Sequence, residues 1–229
     1  MELRDLGVLR GEFYRLFATL LLYPRSDRLR DAWTLAHALA RRNHALAAFA
    51  FYSHWGGLHA ALEALAQGRA LDGSTLGPGS GGAALEDEFT RLFLAGSQAP
   101  PNESAYAPAH TTGWLLAELA REYAACGLVV ASPSGEGPDA APVELEFMAY
   151  LCQREADAWA RRAGGRARGV LTQEQRFLTR HLARWIPLFA RRVAHATPEG
   201  FYARTADAVS VFVLHDRSLV EALCARLAQ

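Results

Sequence analysis

The sequence predicts an all-α fold. Apolar residues recur at steps of three and four through most of the chain, the period of helices buried along one stripe. Nowhere do four or more residues alternate apolar and polar between turn signals, as a half-buried strand requires, except at 209–214, which continues a helical stripe. Glycine and proline gather in a few connecting segments, notably 72–82 and 132–138.

Leu6, Leu9, Phe13, Leu16, Phe17, Leu20 and Leu21 form the stripe of a first helix, closed by Tyr23-Pro24. Ser26 has the character of an N-cap for a second helix reaching about Arg42, and the alanine- and leucine-rich run 45–67 predicts a third. Residues 72–82 hold only breakers and read as a flexible linker. A helix resumes through Leu85, Phe89, Leu92 and Phe93, and then the prolines of SQAPPNESAYAP forbid helix interior and central strand alike. Trp114, Leu115, Leu119 and Tyr123 mark the next helix, which Gly127 ends, and 132–138 is a hinge loop. Val143, Phe147, Tyr150 and Leu151 define a helix with Asp139 as its expected N-cap. Thr172 and Gln175 have the spacing of a capping box, and the stripe Leu178, His181, Leu182, Trp185, Leu188 and Phe189 follows with Pro187 expected to kink it. Thr197-Pro198 predicts the start of a further helix through Phe201, Tyr202 and Phe212, and a short last one spans 216–227. The total is about nine helices in a single globular bundle over 1–229, divisible at the hinge into two subdomains.

The 229 residues are 51% hydrophobic and 21% charged, enough to build a core and too apolar for a disordered chain. The formal charge is +0, so no overall field gathers polyphosphate backbones and nucleic-acid binding is not expected. All 24 basic residues are arginine; with no lysine, lysine Schiff bases and the phosphate-loop lysine are excluded. Three scattered cysteines, Cys126, Cys152 and Cys224, suit neither a disulfide framework nor a cysteine zinc site and fit a reducing cytoplasm. The N-terminus lacks the unbroken apolar core of a secretory leader, and no apolar run approaches the ~20 residues that span a bilayer.

Catalytic motifs are sparse. Residues 77–82 match GxGxxG only formally, since no strand precedes them. His54 and His59 are five apart rather than four, and no HExxH occurs, so no metal site is expected. His181 lies on an apolar stripe, the position of a hydrogen-bonded core histidine, and no GxSxG elbow is present. What stands out is a set of acids, prolines and aromatics around the two loops. Pro101, Glu103, Ser104, Tyr106, Asp139, Glu144, Glu146, Phe147 and Trp185 are the expected lining of a groove. Acidic groups beside aromatic and apolar side chains suit a peptide that carries arginines next to a hydrophobic segment.

At these residues the sequence resembles the TorD/DmsD/NarJ family of chaperones for molybdopterin-dependent redox enzymes. The resemblance runs from about Leu6 to Val213. It is carried by EFTRLF at 88–93, PNESAY at 101–106, ELEFM at 144–148, HLARWIP at 181–187 and the helix of Phe201-Tyr202. It implies a cytoplasmic chaperone without catalytic residues or cofactor of its own. Such a protein binds the N-terminal leader, often a twin-arginine one, of a catalytic subunit, and holds the apoprotein until the molybdenum cofactor is inserted. It further implies leader contacts at Pro101, Ser104 and Tyr106 and a hinge aspartate at Asp139. Many relatives have a histidine after that aspartate; here Ala140 follows. Monomer and domain-exchanged dimer are both compatible with such a hinge.

Two other readings come from different classes. A small helical hydrolase or transferase would use Glu144, Glu146 and His181 as acid and base groups, which requires them to converge. A structural helical adaptor would expose one large apolar patch.

Overall fold

The computed structural model describes residues 1–42, 51–69, 80–94, 96–131 and 135–228. Among the described residues there are nine α-helices and no strand: α1 (Leu3–Leu20), α2 (Ser26–Ala40), α3 (Tyr52–Ala66), α4 (Ser80–Phe89), α5 (Thr112–Ala124), α6 (Ala141–Ala160), α7 (Gly164–Arg180), α8 (Leu182–Ala196) and α9 (Phe201–Leu227). A π-helical turn, Thr90–Leu94, prolongs α4, and two 3-10 turns, Glu103–Tyr106 and Ala109–Thr111, lie in the proline-rich loop. The all-α expectation holds. Of the expected linker, residues 80–82 open α4 instead, while 72–79 lie outside the described residues, as do 132–134 of the expected hinge and 45–50 of the expected third helix.

Several local signals resolve differently from their sequence reading. Thr172 is not a cap; it lies inside α7 and its hydroxyl donates back to the Arg168 carbonyl. The stripe expected to bend at Pro187 breaks earlier, at His181 (φ −119°, ψ −95°), where α7 ends and α8 begins. Thr197 does not cap α9. Its hydroxyl donates to Glu88 Oε1 at 3.1 Å, and the Glu88 carboxylate accepts from the Phe201 and Tyr202 backbone N–H groups, capping the helix from α4. The two expected C-terminal helices form one helix of 27 residues.

α1 packs along α6 at close range because glycines face it. A Cβ on Gly7 would lie 3.3 Å from the Ala156 Cβ, and one on Gly11 would lie 3.3 Å from the Cys152 Cβ. The apolar stripe of α1 then meets α3 and α9: the Phe13 ring stands edge-on to Phe51 and Trp55, with centroids 5.0 and 5.1 Å away, and Phe212 completes the cluster. A second aromatic group joins α4 to α9, with Phe89 and Phe93 edge-on to Tyr202.

Where α1, α6, α7 and α9 meet, the core is ionic. Arg10 is 1% exposed and bonds Asp216, Glu155 at 2.8 Å and Glu174; the Tyr14 hydroxyl also donates to Asp216, at 2.7 Å. One guanidinium faces three carboxyls, so burial favours retaining protons. It pushes Glu174 up to about 8 and raises Glu155 as well. An unfolded chain releases the Glu174 proton near its ordinary 4.5. The folded state therefore holds more protons across this window, and stability that is complete below about 4.5 is lost as pH rises towards about 8. Urea midpoints should fall from about pH 5 to about pH 8, and Glu174→Gln should flatten that slope. An unchanged slope in the variant would assign the effect to other groups.

Candidate functional site

The proline-rich loop is tied to the start of α6 by a short run of backbone bonds. Asn102 and Ala140 form an isolated antiparallel bridge. Glu103 N–H donates to the Asp139 carbonyl at 2.9 Å, and Ala141 N–H donates to the Pro101 carbonyl at 2.8 Å. The Asp139 side chain is the second half of the tie: its carboxylate accepts from Ser104 N–H at 3.2 Å and from Asn102 Nδ2 at 3.4 Å. Asp139 is 4% exposed, and the N-cap of α6 is Ala140. Asp139 thus holds a loop instead of capping a helix or offering a charge to solvent. Ala140, where relatives often carry histidine, is itself buried within the tie.

Behind this loop lies a buried acid network. Glu103 Oε2 and His181 Nδ1 are 2.9 Å apart, and the Trp185 indole N–H donates to Glu144 Oε2 at 3.1 Å. Burial, reinforced by the neighbouring Glu103, holds the Glu144 carboxyl well above the ordinary carboxylate range and favours its protonated form. Tyr123 closes the network from α5 by donating to the Pro138 carbonyl at 2.7 Å, and burial beside Glu144 and Glu103 pushes its hydroxyl up strongly. The sequence motifs PNESAY, ELEFM and HLARWIP are therefore one interlocked interior, with His181 exposed by only 1% and Trp185 by 2%.

The single acidic groove expected from sequence separates into two surfaces. On one side Tyr106 stacks on Trp185 with centroids 5.6 Å apart, and the Arg192 guanidinium lies 4.9 Å above the Tyr106 ring. Burial pushes the Tyr106 hydroxyl up to about 12 against the opposing pull of Arg192. Two depressions flank this stack, of about 1130 and 630 Å³, and both are walled by Tyr106, Pro108 and Leu188. Their polar rims hold Arg191, Arg192 and His195 in the larger and Arg180, Arg184 and Glu118 in the smaller. The acids expected here, Glu103, Asp139 and Glu144, are buried beneath, while Pro101 and Ser104 are half-buried in the loop. This face is basic where an acidic one was expected.

Glu146 and Phe147 belong to the other surface. Glu144 and Glu146 are two apart on α6, about 200° around the helix, so burial of one turns the other outward. Glu146 is exposed, beside a depression of about 480 Å³ with an apolar floor of Leu22, Leu128, Val130, Val143 and Tyr150. Glu136 stands with Glu146 on its rim, together with Arg28. Partial desolvation against the apolar floor, with the Glu136 charge, raises the Glu146 carboxyl above its ordinary value. Phe147 is 3% exposed and edge-on to Tyr123 and Phe177, which makes it mainly a core residue at the edge of this floor. Glu144, Glu146 and His181 do not converge, which removes the arrangement that a hydrolase or transferase reading required. Sequence reasoning missed Leu128, Val130 and Glu136, which lie in a segment without periodicity, and it missed the arginine rim of α8.

The fold and its surfaces define a helical scaffold with grooves on two sides and a buried acid tie between them. The chain belongs to the nitrate reductase delta subunit family, which it matches over residues 41–191. The TorD/NarJ resemblance drawn from the motifs is thereby upheld. It is 31% identical over 133 residues to the chaperone protein TorD of Aeromonas salmonicida, a stretch covering 58% of this chain and 59% of that protein. It is 33% identical to the chlorate reductase assembly chaperone protein of Ideonella dechloratans, over 55% of this chain and 65% of that one. To the selenate reductase assembly chaperone protein of Thauera selenatis it is 34% identical, over 58% and 69%. The match thus spans about three fifths of the Aeromonas protein's length. In fold it is similar to a protein of Archaeoglobus fulgidus described as a redox enzyme maturation protein, with a TM-score of 0.56 at 22% identity, covering 89% of this chain and 93% of that one.

Proposed function

We propose that this protein is a cytoplasmic assembly chaperone for a molybdopterin-dependent oxidoreductase. It binds the N-terminal leader of the catalytic subunit, of twin-arginine type, and holds the apoprotein while the molybdenum cofactor is inserted, so that export waits for loading. Its family and the assembly-chaperone names of its relatives support the general reading. No helix among the described residues is long and apolar enough to cross a membrane.

The observation that carries leader recognition is the depression beside α6. Its floor of Leu22, Val130, Val143 and Tyr150 offers an apolar segment a surface, and Glu136 and Glu146 stand where neighbouring arginines would form charge-assisted hydrogen bonds. The basic face around Tyr106 repels an arginine pair. The leader therefore docks by Glu146 and leaves Pro101, Ser104 and Tyr106 to other contacts with the client.

Isothermal titration with a twin-arginine leader from a molybdoenzyme should give saturable binding near micromolar, about 8 kcal/mol, and a scrambled leader should give none. Glu146→Arg, at an exposed position, should weaken binding at least about tenfold, ~1.4 kcal/mol, with melting unchanged. Full affinity in that variant moves the leader to the Tyr106 face. No binding of any leader sinks the leader-reading proposal.

A further inference from the structure

We propose that His37, His59 and Glu63 form a binding site for a divalent first-row cation of the zinc class, clamping α2 to α3. His59 and Glu63 are four apart on α3, so their side chains lie one above the other on one face. His37 reaches them from the last turn of α2, which packs against α3. One ligand atom from each residue lies within 4.8 Å of the other two. All three residues are half-buried, reachable by an ion and partly shielded from bulk water.

The rings are held ready. Trp33 stacks on His37 with centroids 5.4 Å apart and planes at 18°, and the buried Trp55 lies 5.6 Å from His59. These indoles fix the imidazole planes and leave the ring nitrogens without a hydrogen bond or ion pair to another described residue. With zinc-to-ligand distances of about 2.0–2.1 Å, tetrahedral neighbours sit about 3.4 Å apart. Closing from 4.8 Å needs a movement of roughly 1.4 Å at most, within the range of small side-chain rotations. Two imidazoles and one carboxylate suit Zn²⁺, Co²⁺, Ni²⁺ or Cu²⁺ and disfavour the oxygen-seeking Mg²⁺ and Ca²⁺; a fourth position is left for water or a partner's ligand. The site escapes a search for histidine pairs within one helix because its third ligand comes from the neighbouring helix. His54, the other histidine on α3, is instead turned to Asp207 of α9, with Nδ1 2.5 Å from its carboxylate.

The test uses full-length, tag-free protein stripped with a chelator and titrated with Co²⁺, whose visible bands are intense in four-coordinate sites. One equivalent should produce those bands, and Zn²⁺ should bleach them. His59→Ala and Glu63→Gln should each weaken Co²⁺ binding at least about tenfold, the scale for losing a ligand or its support, while His54→Ala retains the bands in full. Zn²⁺ should raise the melting temperature of the parent and not of the two ligand variants, whose metal-free melting should match the parent's. Absence of the bands from the parent overturns the proposal. So does undiminished Co²⁺ binding in His59→Ala with His37→Ala combined.

Discussion

Arg10→Met is expected to lose about 3–5 kcal/mol of folding stability, the cost of leaving buried carboxyls without their cation. Among the described residues Arg10 is the one cation bonded to Glu155, Glu174 and Asp216, and all four side chains are at most 2% exposed. Methionine keeps much of the volume, so the loss is electrostatic rather than a cavity effect. The loss should also depend on pH. Near pH 5 the raised carboxyls can stay protonated, and the variant should recover part of the deficit; towards pH 8 it should be weakest. Urea denaturation at the two pH values checks both points. A uniform deficit would mean that packing around Arg10, and not charge, dominates. Total stabilities are only on the order of 5–15 kcal/mol, so a large loss would also reduce soluble yield at 37 °C.

Trp185→Ala is expected to cost about 3–5 kcal/mol, the range for truncating a large core aromatic. The indole is the stacking partner of Tyr106, packs against Phe189, and is the donor to Glu144 Oε2. Glu144 Oε1 already lacks a partner among the described residues, and truncation also removes the indole donor to Oε2. Trp185→Phe separates the two contributions. It retains a six-membered aromatic ring and removes the N–H with the rest of the five-membered ring, so it should cost about 1–3 kcal/mol, chiefly that of an unsatisfied buried polar group. Equal losses in both variants would assign the whole effect to the hydrogen bond. A negligible loss in Trp185→Ala would place the side chain in the groove.

Much of the fold was legible because its helices are amphipathic. The stripe of α1, the limits of α5 at Gly127 and the helix of the ELEFM motif follow from periodicity and breakers alone. What was not legible depends on partners distant in the chain. Arg10 sits between Leu9 and Phe13 like any polar residue at a stripe's edge, and only the crossing of three other helices buries it. The cap of α9 comes from Glu88, more than a hundred residues before it, so Thr197-Pro198 gave a local signal that tertiary structure overrode. The candidate site shows the same division. The residues around the two loops do gather in the structure, but the side on which each acid emerges is decided by helix phase. Glu144 and Glu146 look alike in the motif, and one is core while the other is rim.

The glycine-lined crossing of α1 on α6 sets the order in which the chain can finish itself. Arg10 meets Glu155 across 145 residues and Asp216 across 206. At about 5–20 residues per second, the first helix waits roughly 10–40 s between its own synthesis and the arrival of its last partner. During that interval the part of its face that meets α9, where Phe13 and Tyr14 pack on Phe212 and Tyr14 bonds Asp216, has no permanent cover. The chain is thus, during its own synthesis, one whose first described helix keeps part of an apolar face open. It closes only when α9 has left the ribosome.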